Sequence, residues 1–384
     1  MYDLLIKDGL VVDPFQGLCE KRDIAVSGSR IEAVEQCIPS TNVRRIIDAK
    51  DMLVVPGLID LHTHVSYNVI PLSVDPEEAC LKRGVTTVVD AGSTGHLNFT
   101  PFKKYVIEGS RARIFAMLNI ESLGMIEFSD NPPAYTREKW PQLLTCLDGI
   151  FTPLFVNIED TVKTIEENRS IIIGIKWAHH HLTGLELARK AADKTKCIIM
   201  AENRHTPESL KFLKRGDILT HLYKSTDKNR AYGGLIDENM KVSTEYLQAI
   251  RRGVIMDVGH GKGSFSWKVA EKAIAEGVKP DTISTDLWVG NINGPVYDMP
   301  TTMSKFLLLG MSLEEVVKAS TTKPAEVIGK LGEIGTLKPG ACADITIFKL
   351  REGKFVFEDT VGEKRIGSQK LEPIYIVHEG NMIV

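Results

Sequence analysis

His62 and His64 stand two residues apart in the run Leu61-His62-Thr63-His64. On a β-strand that spacing sends both imidazoles to one face, where together they can grip a single metal ion. Four more residues of useful type close or follow apolar runs further along: Lys176, His221, His260 and Asp286. Imidazole and carboxylate suit Zn²⁺. An ammonium cannot ligate a cation, but a buried lysine loses its proton readily. The neutral amine of Lys176 can then add to CO₂ and give a carbamate, an anion whose two oxygens can bridge two metal ions. Asp286 can ligate one ion and take the proton from an attacking water. Water held by such an ion ionises near pH 7. Each residue also has a plainer reading. An isolated His-x-His on an apolar strand is often structural, and His221 could be a satisfied core histidine. Lys176 could lie at a rim beside Trp177, Asp286 could cap a helix, and His260 could sit in a Gly-rich loop. The recurrence of such residues at the ends of successive strands favours the metal site.

Those ends belong to eight apolar runs: Gly57–His64, Thr86–Gly92, Arg113–Ile120, Ile171–Trp177, Cys197–Asn203, Ile218–Tyr223, Val254–Gly259 and Thr282–Leu287. Such runs suit strands buried on both faces. Amphipathic stretches such as Gly184–Lys194 and Trp267–Glu276 lie between them, giving the βα rhythm of a parallel sheet. Eight repeats predict a TIM (β/α)₈ barrel, with an open doubly wound sheet as the other solution. In such barrels the chemistry gathers at the C-terminal ends of the strands. The two chain ends read differently. Leu4–Lys7, Gly9–Val12, Asp23–Val26 and Arg30–Val34 are short strands, with Ser27-Gly28-Ser29 as a hairpin turn. Asp344–Phe348 and Ile374–Val377 repeat the pattern, followed by a turn at Glu379-Gly380-Asn381. The expected organisation is a small β-sandwich module from residues 1–53 and 340–384, around a barrel over residues 54–339.

The bulk properties agree. The chain has 384 residues, and a barrel takes about 250 as a single unit. A net charge of −3 without a basic stripe argues against nucleic acid as a partner. No apolar run reaches the length of a membrane span, and the N-terminus lacks the pattern of a secretory signal. Six scattered cysteines without a CxxC pair read as reduced thiols. A cytoplasmic enzyme acting on a small molecule is expected, and a homo-oligomer is left open.

The segment VVPGLIDLHTH, residues 54–64, resembles the opening strand of the amidohydrolase superfamily. DLLIKDGLVVD before it, and TKPAEVIGKLGEIGTLKPGACADITIF near the other end, resemble that superfamily's terminal module. GIKW around Lys176, GDILTH ending at His221, DVGHGKGSFSW around His260 and DTISTDLW around Asp286 resemble the amidohydrolase/deacetylase group, often called dihydroorotase-like. The resemblance implies a two-metal site. His62, His64 and Asp286 would hold one ion. Carboxylated Lys176 would bridge to a second, held by His221 and a histidine on the fifth strand.

The fifth strand departs from that pattern, because Met200 precedes Ala201-Glu202-Asn203 where hydantoinase-like relatives carry histidine. A thioether is a poor zinc ligand among nitrogen and oxygen donors. The second ion is then absent or weak, or Glu202 or His205 replaces the ligand, or activity is blunted; the His179-His180-His181 run is a further source. Dihydroorotases carry an arginine two residues after the His-x-His, and Ser66 stands there instead. The reading is therefore deacylation of a small acylated amino or hydroxy acid, or hydrolysis of a cyclic amide, by one or two zinc ions. His260, Arg230 and Tyr232 are the candidates for holding the substrate. Two other classes remain: a non-catalytic assembly protein on the same scaffold, and a deaminase.

Overall fold

The computed structural model describes residues 1–126, 156–178, 182–225, 234–237 and 239–384. Fifteen strands are found among them, in two sheets.

The first sheet combines both chain ends. It contains β1 (Tyr2–Asp13), β2 (Leu18–Ser27), β3 (Arg30–Glu35), β4 (Val43–Asp48) and β5 (Leu53–Pro56). The other end adds β13 (Ile345–Glu358), β14 (Lys364–His378) and β15 (Asn381–Met382). The strand order is β15-β14-β13-β5-β1-β2-β3, with β4 paired to the first half of β1. Leu4–Lys7 and Gly9–Val12 form one strand rather than two. A bulge with Asp8 at φ 59° absorbs the break between them. The hairpin of β13 and β14 is also far longer than expected. Its middle is exposed, while Phe357 and Leu371 are buried against the barrel core, so the two strands carry no continuous apolar alternation. The sheet curls on itself: Ile31 N donates to Ala341 O at 2.9 Å and Ala343 N to Ser29 O at 2.8 Å. The edge strand β3 thus meets the residues that enter β13. The two limbs share one core, including Leu4, Ile24, Val54, Ile345 and Val377. This closes the sandwich-like module.

The second sheet is the barrel: β6 (Leu58–Thr63), β7 (Val85–Ala91), β8 (Arg113–Asn119), β9 (Ile172–Trp177), β10 (Ile198–Glu202), β11 (Ile218–Thr220) and β12 (Ile255–Met256). All pair in parallel, in sequence order. The expected eighth strand is no named strand, but its residues close the ring. Asp257 bridges to Thr282 and Leu287 bridges to Thr63, both in parallel. Gly261 N donates to Thr285 O at 2.9 Å, and His64 N to Leu287 O at 3.0 Å. The fold is therefore a TIM barrel.

Alternation along these strands sorts their side chains. Ile175, Ala201 and Leu219 join the core shared with Leu185 and Ala188 of the helix Leu182–Thr195. Their neighbours Lys176, Met200, Glu202 and Thr220 project to the other face, into the barrel. The helices are held by local signals. Asp298 caps Met299–Leu308 by accepting from Thr301 N at 2.8 Å, with Pro300 in the first turn. Ser312 and Glu315 form a capping box on Leu313–Ser320. No helix among the described residues is long and apolar enough to cross a membrane.

Candidate metal centre

Five of the residues expected at the site meet at the C-terminal end of the barrel. His62 lies on β6 and His64 just beyond it. Lys176 lies near the end of β9, and His221 follows β11. Asp286 lies on the closing segment. Asp286 Oδ1 stands 3.1 Å from His64 Nε2 and 3.3 Å from His62 Nε2. Donor atoms of His62, His221 and Asp286 all lie within 4.8 Å of one another. Lys176, fully buried, places Nζ 3.1 Å from His62 Nε2.

Each imidazole is fixed through its other nitrogen. His62 Nδ1 meets Thr220 Oγ1 at 2.8 Å, and Thr220 donates in turn to Asp257 at 2.7 Å. His64 Nδ1 meets Ser93 Oγ at 2.8 Å, and Ser93 donates to Asp90 at 2.8 Å. His221 Nδ1 donates to Gly259 O at 2.7 Å. All three rings therefore keep Nε2 for the centre, which is how ligating histidines are commonly held. Sequence reasoning missed Thr220, Asp257, Ser93 and Asp90. Thr220 and Asp257 do flank the recognised residues, but the link to His62 spans 158 residues of chain.

Backbone geometry at the site is tightly set. His221 and Asp286 have φ of 64° and 50°. Gly261 has φ 54°, and a Cβ there would lie 2.3 Å from Asp286 Oδ2. A Cβ on Gly259 would lie 2.1 Å from Thr220 Oγ1 and 2.9 Å from His221 Nδ1. These two glycines let the loop after β12 pass directly under the candidate ligands.

Burial dominates the electrostatics. It pulls the His62 imidazole well below its usual range, helped by the nearby Lys176 charge. It also lowers the Lys176 amine, although Glu202 and Asp286 act in the opposite direction. Both shifts favour the neutral forms needed for ligation or for reaction with CO₂.

Met200 faces Lys176 in register and places Sδ 3.6 Å from Nζ. Glu202, two residues on and on the same face, brings Oε1 within 3.6 Å of His221 Nε2 and accepts from Arg204 at 2.8 Å. The His205 ring lies 6.2 Å from the Trp177 ring. A cavity of about 180 Å³ opens over the centre; its lining includes His64, His221, Asp286, Glu202, Arg204, Lys224, Lys262 and Trp288.

His260 is not where a substrate contact was expected. It is fully buried, with Nδ1 on Gly261 O at 2.9 Å and Nε2 on Lys305 Nζ at 2.7 Å. Its ring stacks on Phe265 at 4.5 Å. This candidate for holding the substrate thus has both ring nitrogens engaged and is not among the residues lining the cavity. Arg230, Tyr232 and His179-His180-His181 lie outside the described residues.

A barrel with histidines, a lysine and an aspartate gathered at its C-terminal mouth fits the class of metal-dependent barrel hydrolases. Comparison with known proteins narrows the class. The amidohydrolase family profile matches residues 162–381. A deacetylase of Agrobacterium fabrum is 35% identical over 367 residues, covering 92% of this chain and 85% of that protein. A deacetylase of Enterococcus faecalis is 31% identical, covering 99% of each chain. Among solved structures, one described as a dihydroorotase is 31% identical with a TM-score of 0.85, covering 100% of this chain and 98% of the other. One described as an adenine deaminase is 30% identical with a TM-score of 0.84, covering 100% and 99%. The chain belongs to the amidohydrolase family. It is a hydrolase of carbon–nitrogen bonds.

Proposed function

We propose that this enzyme removes the acyl group from a small acylated amino or hydroxy acid, or opens a cyclic amide, by zinc-dependent hydrolysis. The observation that carries the reading is the fixing of three imidazoles through Nδ1, with Nε2 left for one centre beside Asp286. That donor set suits zinc. His62, His64 and Asp286 would hold one ion. Lys176, as its carbamate, and His221 would hold a second. Glu202 is better supported than His205 as the replacement for the missing strand-five histidine, because its carboxylate already faces His221. When bound, zinc supplies a Lewis acid for the substrate carbonyl and lowers the pKa of water.

The chain's own residues do the rest. Burial shifts the Lys176 amine towards its neutral form, in which a bond can form between Nζ and the carbon of CO₂ as one N–H proton leaves to solvent. Asp286 accepts the proton of the attacking water and returns it to the leaving nitrogen or oxygen as the acyl bond breaks. Gly261 leaves room for that carboxylate. The cavity is small and carries Arg204, Lys224 and Lys262, which suits a substrate with a carboxylate. Ser66 donates to Asp90 at 3.1 Å, so the position that carries arginine in dihydroorotases supplies no cation here. The likeness to two deacetylases over most of their length supports acyl removal. The intact supports behind each histidine count against a non-catalytic assembly role.

The test is a panel assay on zinc-loaded protein: N-acetyl amino acids, O-acetyl hydroxy acids, dihydroorotate and adenine. Acetate release from the acylated acids is expected. Ammonia from adenine alone would replace this reading with deamination, and inertness towards all four would favour the assembly role.

A further inference from the structure

Lys305 is one of the largest fully buried side chains, and the proposed reaction does not use it. It projects from the helix Met299–Leu308. Its Nζ meets three groups: His260 Nε2 at 2.7 Å, Pro295 O at 2.9 Å and Glu358 O at 2.7 Å. The two carbonyls can only accept. His260 gives its Nδ1 hydrogen to Gly261 O, so its Nε2 also accepts. Three acceptors therefore match the three N–H donors of an ammonium. No neutral side chain of similar size replaces that fork.

What the fork ties together is informative. His260 sits between Gly259 and Gly261. The Gly259 carbonyl holds His221 Nδ1, and Gly261 lies against the Asp286 carboxylate. On the other side, Glu358 is the last residue of β13, at the tip of the terminal module's long hairpin. That tip grips the chain just after the Gly-rich loop. Asp359 accepts from Trp267 N at 3.0 Å, Thr360 Oγ1 donates to Phe265 O at 2.7 Å, and Trp267 Nε1 donates to Glu363 O at 3.1 Å. The hairpin thus connects to the loop that carries His260, with Lys305 as the junction.

We propose that Lys305 is a positioning residue, which holds the Gly259–Gly261 loop against the tip of the terminal hairpin and so sets His221 and Asp286 for the metal. The inference rests on the proposed metal centre. It gives the terminal module a part in the chemistry, although none of that module's residues lies among those lining the cavity.

The test compares wild type with Lys305→Met, which keeps the bulk and removes the donors, and with Lys305→Arg, which restores them in part. Zinc affinity is measured by competition with a chelator, beside kcat, KM and the melting point of the metal-free protein. Supporting groups of this kind change metal affinity or activity by about tenfold to a hundredfold. The expected result for K305M is a loss of zinc affinity and of kcat in that range, with KM changed far less and partial recovery in K305R. A lower melting point with unchanged zinc affinity and kcat would overturn the inference and leave Lys305 a packing residue. If K305M does not fold, His260→Gln cuts into the same junction from the other side and must show the same loss. Wild-type protein that binds no zinc would overturn the metal centre itself and this inference with it. Zinc-binding wild type beside an unaffected K305M would overturn the inference alone.

Discussion

Replacing Thr220 with valine isolates the support behind one candidate ligand. The shape is conserved, so packing should hold, but the hydroxyl is lost. In the native protein Thr220 Oγ1 receives the His62 Nδ1 hydrogen at 2.8 Å and donates to Asp257 at 2.7 Å. Asp257 would survive the change, because Thr282 and Ser284 still donate to it at 2.6 and 2.7 Å. His62 would not, since its buried Nδ1–H would have no acceptor. An unsatisfied buried donor costs about 1–3 kcal/mol. The ring can escape that cost by moving its proton to Nε2, which removes the lone pair aimed at the metal. Zinc binding should therefore weaken by about tenfold to a hundredfold, equal to about 1.4–2.7 kcal/mol. Chelator competition on wild type and T220V measures this directly, and the melting point of the metal-free proteins checks the fold. Affinity within twofold of wild type, in a folded T220V protein, would refute the claim that Nδ1 support orients His62 for a metal.

Other perturbations read other parts of the site. Gly261→Ala places a Cβ 2.3 Å from Asp286 Oδ2 at a backbone φ of 54°; the carboxylate must shift, and kcat should fall by about a hundredfold or more, as steady-state assays would show. Growth or incubation with ¹³C-bicarbonate should give one carbamate carbon signal per chain, absent from Lys176→Met; no such signal in zinc-loaded wild type would remove the carbamate. Beneath the barrel, burial pushes the Asp344 carboxyl up, but the His378 hydrogen bond and the Arg113 charge outweigh it and hold it at about 2. Its folded value is thus depressed, so its stabilisation is present above about pH 4 and is lost as pH falls through about 2. Asp344→Asn should cost about 2 kcal/mol at neutral pH, with the gap to wild type narrowing in acid; denaturant unfolding across pH would show it.

The barrel was legible because buried parallel strands print as apolar runs, and all eight positions are where the runs lie. The eighth was legible as a run but pairs only through isolated bridges. That His62, His64, Lys176, His221 and Asp286 come together was legible because each lies at or near the end of such a run. Their supports could not, since Thr220 with Asp257, and Ser93 with Asp90, are common polar residues whose role exists only after the chain closes. His260 shows the limit of reasoning by position: it follows its strand as His221 does, yet faces Lys305 and Phe265 instead of the cavity. The length of the hairpin is not legible for a related reason: its exposed middle interrupts the alternation, and the core that buries Phe357 and Leu371 exists only once the hairpin lies on the barrel.

The most direct measurement is metal per chain, by elemental analysis of protein purified with zinc and bicarbonate. One to two zinc ions are expected in wild type, with a clear loss in His62→Ala and Asp286→Ala. Two would mean that Glu202 or another residue completes the second position beside Met200, and one would assign the ion to His62, His64 and Asp286. Zinc-free wild type under those conditions would show that these residues do not form a zinc centre.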